Sequence, residues 1–150
     1  MSKINWKNKC WVTTIFLVHS NKVLLTWNKN LQTWIPVGGH IDNGETPMQA
    51  IRREVEEEVG YEFDLYGDFK RECNGNVEIV KLHRFQIEAV PHHNTHMNFV
   101  FFGRVLKKTE KKETDEKEKL KWFSKKELLN TDMLESVRNS ALAALSTIKF

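Results

Sequence analysis

Residues 39–61 read GHIDNGETPMQAIRREVEEEVGY, and the order of glycines, carboxylates and one arginine in this stretch decides how the rest of the chain is read. Seven positions make the pattern: Gly39, Glu45, Arg53, Glu54, Glu57, Glu58 and Gly60. At a background near ~7% for a common residue, seven fixed positions coincide in on the order of one in a million chains of this length. Pro47 suits the first position of a helix, Thr46 the N-cap before it, and Gly60 a C-terminal stop. At ~100° per residue, Glu54, Glu57 and Glu58 share one flank of that helix. Met48, Ile51, Val55 and Val59 form an apolar face beside them. Glu56 falls on the far side near Arg52, an ordinary solvated i,i+4 pair, and stays outside the site.

A glutamate-rich helix is most often a plain soluble face. Here the spacing argues against that: Glu58 follows Glu54 by one turn, and the sequence places no lysine or arginine three or four residues after it. Like-charge pairs at that spacing destabilise a helix by roughly a few tenths of a kcal/mol, so something else has to neutralise them. Carboxylate oxygens gathered on one flank suit a hard cation such as Mg²⁺ or Mn²⁺ better than zinc.

The segment resembles the signature box of the Nudix hydrolases, matched at all seven glycine and charged positions. Two features depart from the family's pattern: Tyr61 stands where an aliphatic residue is usual, and the proline of Trp34-Ile35-Pro36-Val37-Gly38-Gly39 comes one place early. The resemblance implies an α/β Nudix fold, an α/β/α sandwich with a mixed β-sheet. It also implies that Glu54, Glu57 and Glu58 hold divalent ions, with the Gly39 carbonyl as a further ligand and Glu45 and Arg53 as their support. Arg53 can orient a glutamate through directional, often bidentate bonds; its plainer reading is an i,i+4 partner for Glu57. In similar enzymes water attacks a phosphorus of a diphosphate bridge while the ions stabilise the developing charge.

The general base is open between Glu54 and an acid in residues 107–121, KKTEKKETDEKEKLK. There Glu116, beside Asp115 and Glu118, is singled out as a further metal ligand; the plain reading of the run is a solvated charged loop. The substrate class the resemblance implies is a nucleoside diphosphate linked to another moiety: a nucleotide, a sugar nucleotide or an ADP-ribose type compound. A prenyl-diphosphate isomerase on the same fold is one alternative, with no cysteine near the glycine turn to support it. A nucleotide-sensing module without turnover is another, at odds with the intact glutamates.

Length and composition fit one domain over residues 1–150. The chain is 40% hydrophobic with nine Phe and five Trp, enough for a core. A formal charge of +3 suits a small anionic substrate and is too diffuse for a nucleic-acid surface; the lysine-rich run, with seven lysines against five acids, adds little to it. Cys10 and Cys73 are isolated and no segment resembles a signal peptide or a membrane span, so a cytoplasmic protein is expected. Similar proteins often pair as homodimers, and the oligomeric state is otherwise open.

Strands are predicted at residues 11–18 and 23–27 around a His19-Ser20-Asn21-Lys22 turn, and at 63–69, 77–89 and 97–105, with a turn at 74–76. Ser124 can cap a short helix through Leu129, and Asp132 a longer one towards Ile148. Candidates for holding the substrate lie outside the box. His93 and His96 follow Pro91 in a three-histidine stretch, too poorly organised for zinc, and alternation places His96 and Asn98 on one face. Trp11, Trp27 and Trp34 can stack on a base or pack in the core; Trp34, with Gly38 in the adjoining turn, has the best claim to the cleft.

Overall fold

The computed structural model describes residues 8–67, 73–74, 76–90, 94–108 and 119–149. Strands Lys9–His19 (β1) and Lys22–Asn28 (β2) form a hairpin whose loop is Ser20 and Asn21, both at positive φ (49° and 59°). Two-residue hairpin loops need that backbone to match the twist of their strands, and asparagine tolerates it better than most residues. The short strands Thr33–Ile35 (β3) and Val37–His40 (β4) follow, then the helix Pro47–Glu58 (α1) and the strand Glu62–Leu65 (β5). Cys73–Asn74 (β6) and Val77–Glu78 (β7) make a separate small hairpin. Arg84–Glu88 (β8), Thr95–Lys107 (β9) and Leu120–Phe123 (β10) complete the strands, and Lys125–Asn130 (α2) and Glu135–Thr147 (α3) are the remaining helices.

The main sheet runs β10-β2-β1-β9-β5, with β3 on β2, β4 on β1 and β8 on β9. β1 and β9 are parallel from Lys9 opposite Thr95 to Val18 opposite Arg104, whereas β4, β8 and β5 join them antiparallel. The sheet is therefore mixed, and helices cover both of its faces. Side chains alternate across it: Ile15, Leu17, Val37, Phe101 and Val105 pack with Met48, Ile51, Val55 and Val59 of the α1 segment. Phe16, Val18, Val100, Phe102 and Phe123 pack with Leu128, Val137, Ala141 and Ala144 from α2 and α3. Side chains as deeply buried as Phe101, Ile51 and Leu128 each contribute about 1.5–3 kcal/mol by leaving water. Among the described residues no helix is long and apolar enough to cross a membrane.

Three expectations about elements need correction. The strand predicted over 77–89 is two pieces, β7 in its own hairpin and β8 in the main sheet; Val77 and Ile79 are exposed, so their apolar character does not mark a buried strand. The one predicted over 63–69 ends at Leu65, where Tyr66 and Gly67 turn with Gly67 at φ 86°; Phe69 lies outside the described residues. Asp132 does not cap α3. That helix opens at Glu135, its first bonds running from the Val137 and Arg138 amides to the Leu134 carbonyl (3.1 and 3.0 Å), while Met133 turns into the core.

Candidate active site

The position of α1 follows from its ends. Thr46 and Gln49 close a reciprocal capping box: the Gln49 amide donates to Thr46 Oγ1 (3.2 Å) and the Thr46 amide to Gln49 Oε1 (2.9 Å). Pro47 starts the helix without giving up a needed N–H. At the other end the amides of Val59 and Gly60 both donate to the Val55 carbonyl, with Gly60 at φ 74°. With Met48, Ala50, Ile51 and Val55 buried, the charged flank of the helix is held against β4 and the loop that follows it.

Arg53 is the hub of that flank. Its Nε donates to Glu45 Oε2 (2.8 Å) and its Nη2 to Glu45 Oε1 (2.9 Å), a bidentate pair. Nη2 also donates to the His40 carbonyl (3.0 Å), and Nη1 to Glu54 Oε1 (3.0 Å) and Glu57 Oε2 (3.2 Å). Asp42 lies 3.4 Å from Nη2. Glu45 closes the loop in turn, taking the Asp42 amide on Oε1 (2.8 Å) while its own amide donates to the Asp42 carbonyl (3.0 Å). The hydrogen bond from Arg53, followed by the one from the Asp42 amide, holds the Glu45 carboxyl below the usual carboxylate range. Arg53 is itself pushed further up, chiefly by its bond to Glu45, so it stays charged at any working pH.

Glycines bring β4 close to both neighbours. A Cβ on Gly39 would lie 2.5 Å from Glu54 Oε1 and 2.7 Å from its Cδ, so the Glu54 carboxylate rests directly against the strand. A Cβ on Gly38 would point to the other side and lie 2.1 Å from the Thr13 carbonyl oxygen. Gly38 therefore has a packing reason of its own, the close approach of β1.

The structure brings Gly39, Glu45, Arg53, Glu54 and Glu57 together, and Glu58 lies half-buried at the last residue of α1. Four carboxylates, Asp42, Glu45, Glu54 and Glu57, meet the single Arg53 guanidinium. Among the described residues, no three Asp, Glu, His or Cys side chains are gathered closely enough to hold an ion; Glu54 Oε1 and Glu57 Oε2 are both turned to Arg53 Nη1 instead. His93 and Glu116 lie outside the described residues.

The other candidates are placed elsewhere. His96 and Asn98 do share a face, as alternation implies, and it is the face opposite α1, the one that carries Val100 and Phe102 into the α3 side of the core. There Asn98, 2% exposed, accepts from Thr14 Oγ1 (3.1 Å) and donates to Glu88 Oε2 (3.0 Å). His96 Nδ1 stands 3.7 Å from Glu88 Oε1, and its ring meets that of His40. Burial works to raise the Glu88 carboxyl, yet the bonds from His96, Asn98 and Gln86 outweigh it and leave it below its ordinary value. Trp34 sits edge-on to Trp27 (5.3 Å) and Phe123 (5.1 Å) against the α3 side of the core. Sequence reasoning missed Asp42 and the His40 carbonyl, whose roles depend on loop closure, and it missed Glu88.

Comparison with known proteins agrees with this architecture. A NUDIX domain model matches residues 10–145. An oxidized purine nucleoside triphosphate hydrolase from Danio rerio is 34% identical over 83 residues, 51% of this chain and 53% of the relative. An RNA pyrophosphohydrolase from Francisella tularensis subsp. mediasiatica is 42% identical over 50 residues, 33% of this chain and 32% of the relative. The matches thus span about half, or less, of these curated relatives' length. The crystal structure of a NUDIX-family hydrolase from Clostridium perfringens superposes with a TM-score of 0.83 at 28% identity, covering 95% of this chain and 99% of that one. Complete box, mixed sheet, flanking helices and a family match over most of the length lead to one conclusion: the chain belongs to the NUDIX domain family.

Proposed function

We propose that the protein is a divalent-metal-dependent pyrophosphohydrolase that splits the diphosphate bridge of a nucleoside diphosphate linked to another moiety. The observation that supports this most directly is the Arg53 hub, which gathers the Asp42, Glu45, Glu54 and Glu57 carboxylates at one guanidinium and fixes Glu54 against Gly39. The donors are all oxygens: the Gly39 carbonyl and the carboxylates of Glu54, Glu57 and Glu58. Such a set fits Mg²⁺ or Mn²⁺. When bound, the ion would supply charge stabilisation for the phosphate oxygens and draw the diphosphate to the helix flank.

The chain's own residues do the rest. Arg53 holds Glu45 in two bonds and so fixes the loop that carries Asp42 and the His40 carbonyl. Because Arg53 Nη1 donates to Glu54 Oε1, Glu54 Oε2 is the oxygen left to meet either the ion or the attacking water. Holding the water and the diphosphate in place before the reaction lowers the barrier by supplying their orientation in advance. The names of the curated relatives, a purine nucleoside triphosphate hydrolase and an RNA pyrophosphohydrolase, support phosphoanhydride chemistry on a nucleotide.

The test is phosphate release from nucleoside triphosphates, ADP-ribose, sugar nucleotides and dinucleoside polyphosphates, with Mg²⁺, Mn²⁺ or EDTA. Turnover that needs the metal and falls at least a hundredfold in Glu57→Gln is expected. Turnover that survives EDTA, or that the variant keeps, would overturn the proposal.

A further inference from the structure

The edge strand β8 is built inside out. Its polar residues Arg84, Gln86 and Glu88 are the half-buried ones, whereas Phe85 and Ile87 are 43% and 38% exposed. An exposed large apolar group is informative where it is part of a patch, and here it is. Phe85 pairs with Phe99, Phe99 with Thr13 and Thr13 with Gly39, all on the α1 face of the sheet. In the next row Ile87 pairs with Met97 and Met97 with Trp11, which is 51% exposed. The rings touch: Trp11 stacks on Phe99 (5.8 Å, 22°) and Phe85 tilts against it (5.2 Å).

We propose that Trp11, Phe99 and Phe85 form a platform on which the planar base of the substrate stacks while its diphosphate lies at Glu54. The placement argues for that occupant. Gly39, with the Glu54 carboxylate above it, lies in the same row of the same face, and strands are ~4.8 Å apart, so Phe99 lies roughly 10 Å from Gly39. That separation is the reach of one phosphate and a ribose. Stacking is tolerant of base identity, since every base has a π-face, so the platform selects nucleotides over other diphosphates and purines over pyrimidines by ring area. It rests on the function proposed above for the position of the diphosphate.

Equilibrium binding separates the two. Titrate wild-type protein, Trp11→Ala, Trp11→Phe and Phe85→Ala, in Mg²⁺, with the hydrolysis-resistant α,β-methylene analogue of ADP and with methylenediphosphonate, which has no base. Each alanine variant is expected to weaken the nucleotide analogue about tenfold, Trp11→Phe to restore most of it, and methylenediphosphonate to bind all four alike. Equal losses for both ligands, or none for the nucleotide, would overturn the platform. So would unchanged binding with a lowered mass by light scattering in the alanine variants, which would give the patch to a second copy of the chain. These readings need no turnover: an inactive wild-type protein would sink the hydrolase and leave the platform standing or falling on its own.

Discussion

Replacing Gly39 by alanine perturbs the site without replacing any charged residue. The new Cβ would lie 2.5 Å from Glu54 Oε1, 2.7 Å from Cδ and 3.0 Å from Oε2, against an ordinary separation of roughly 3.5 Å. The carboxylate therefore has to retreat by about 1 Å, and as the end of a flexible side chain it can. Gly39 sits in strand β4 without a left-handed φ, so alanine is compatible with its backbone. Losing the partly exposed Arg53–Glu54 contact costs about 1 kcal/mol at most. The gain from replacing a strand glycine, about 0.5–1 kcal/mol, offsets most of that. Tm should stay within about 4 °C of wild type, while kcat/KM should fall about a hundredfold, the scale of a 1 Å misplacement. Thermal melts and initial rates on the same preparation read both. Full activity at unchanged Tm would refute the reasoning, because Glu54 would then not need the place the glycine makes for it. Gly38→Ala is the contrast: its Cβ would meet backbone atoms, Thr13 O at 2.1 Å and Thr14 Cα at 2.8 Å, which cannot swing away. It should cost roughly 3 kcal/mol or more and lower Tm by about 10 °C.

Glu45 has a depressed carboxyl in the folded state, so its contribution is complete above its ordinary value of 4.5 and is lost as pH falls through the lower, folded one. Melts between pH 6 and 3 should show Glu45→Gln to be less stable than wild type at the upper end and to converge with it at the lower; parallel curves would count against the Arg53–Glu45 pair. Asn98→Ala strips partners from the Thr14 hydroxyl and the Glu88 carboxylate and should cost about 2 kcal/mol. A fall in Tm with KM unmoved would mark Asn98 as interior structure, and a raised KM with normal Tm would return it to the substrate pocket. Trp34→Ala removes a half-buried ring that packs on Trp27 and Phe123; it should lower stability by roughly 3 kcal/mol and leave nucleotide affinity alone, and calorimetric titration of the folded variant would show otherwise.

The box helix was legible because each of its signals is local. Thr46, Pro47 and Gly60 act within one turn of the helix, and Met48, Ile51 and Val55 report its buried face by spacing alone. The long strands β1, β2 and β9 were legible for a related reason: their apolar runs exceed the length at which chance alternation misleads. Strands β3, β4 and β10, three or four residues each, carry too few side chains for a period to show. The α3 boundary was misread because Asp132 offers a cap that tertiary contacts override. Arg138 donates to the carbonyls of Leu128 (2.9 Å) and Thr131 (2.7 Å), which holds the loop in another course. Facing was harder still. Alternation correctly grouped His96 with Asn98, yet which face of a strand meets α1 depends on the register with β1 and β4, and neither pairing is written in the strand itself. The inverted strand β8, whose apolar residues point outward, defeats the ordinary rule that the apolar side is the buried one.

The spacing within the box is itself a structural quantity. Strand residues alternate with a period of two and helix residues with one of 3.6, so a strand atom and a helix atom meet only if the loop between them has the right length. Gly39 faces Glu54 and the His40 carbonyl accepts from Arg53: consecutive strand positions engage consecutive helix positions. The loop over 41–46 makes that match possible, and Glu45 both closes it through the Asp42 amide and clamps it to Arg53. One residue inserted in this loop would break both the Asp42–Glu45 closure and the reach of Glu45 to Arg53, while α1 kept its cap at Thr46 and its packing face. Such a variant should fold and lose the site. That is why the intervals from Gly39 to Glu45 and from Glu45 to Arg53 carry as much meaning as the residues that bound them.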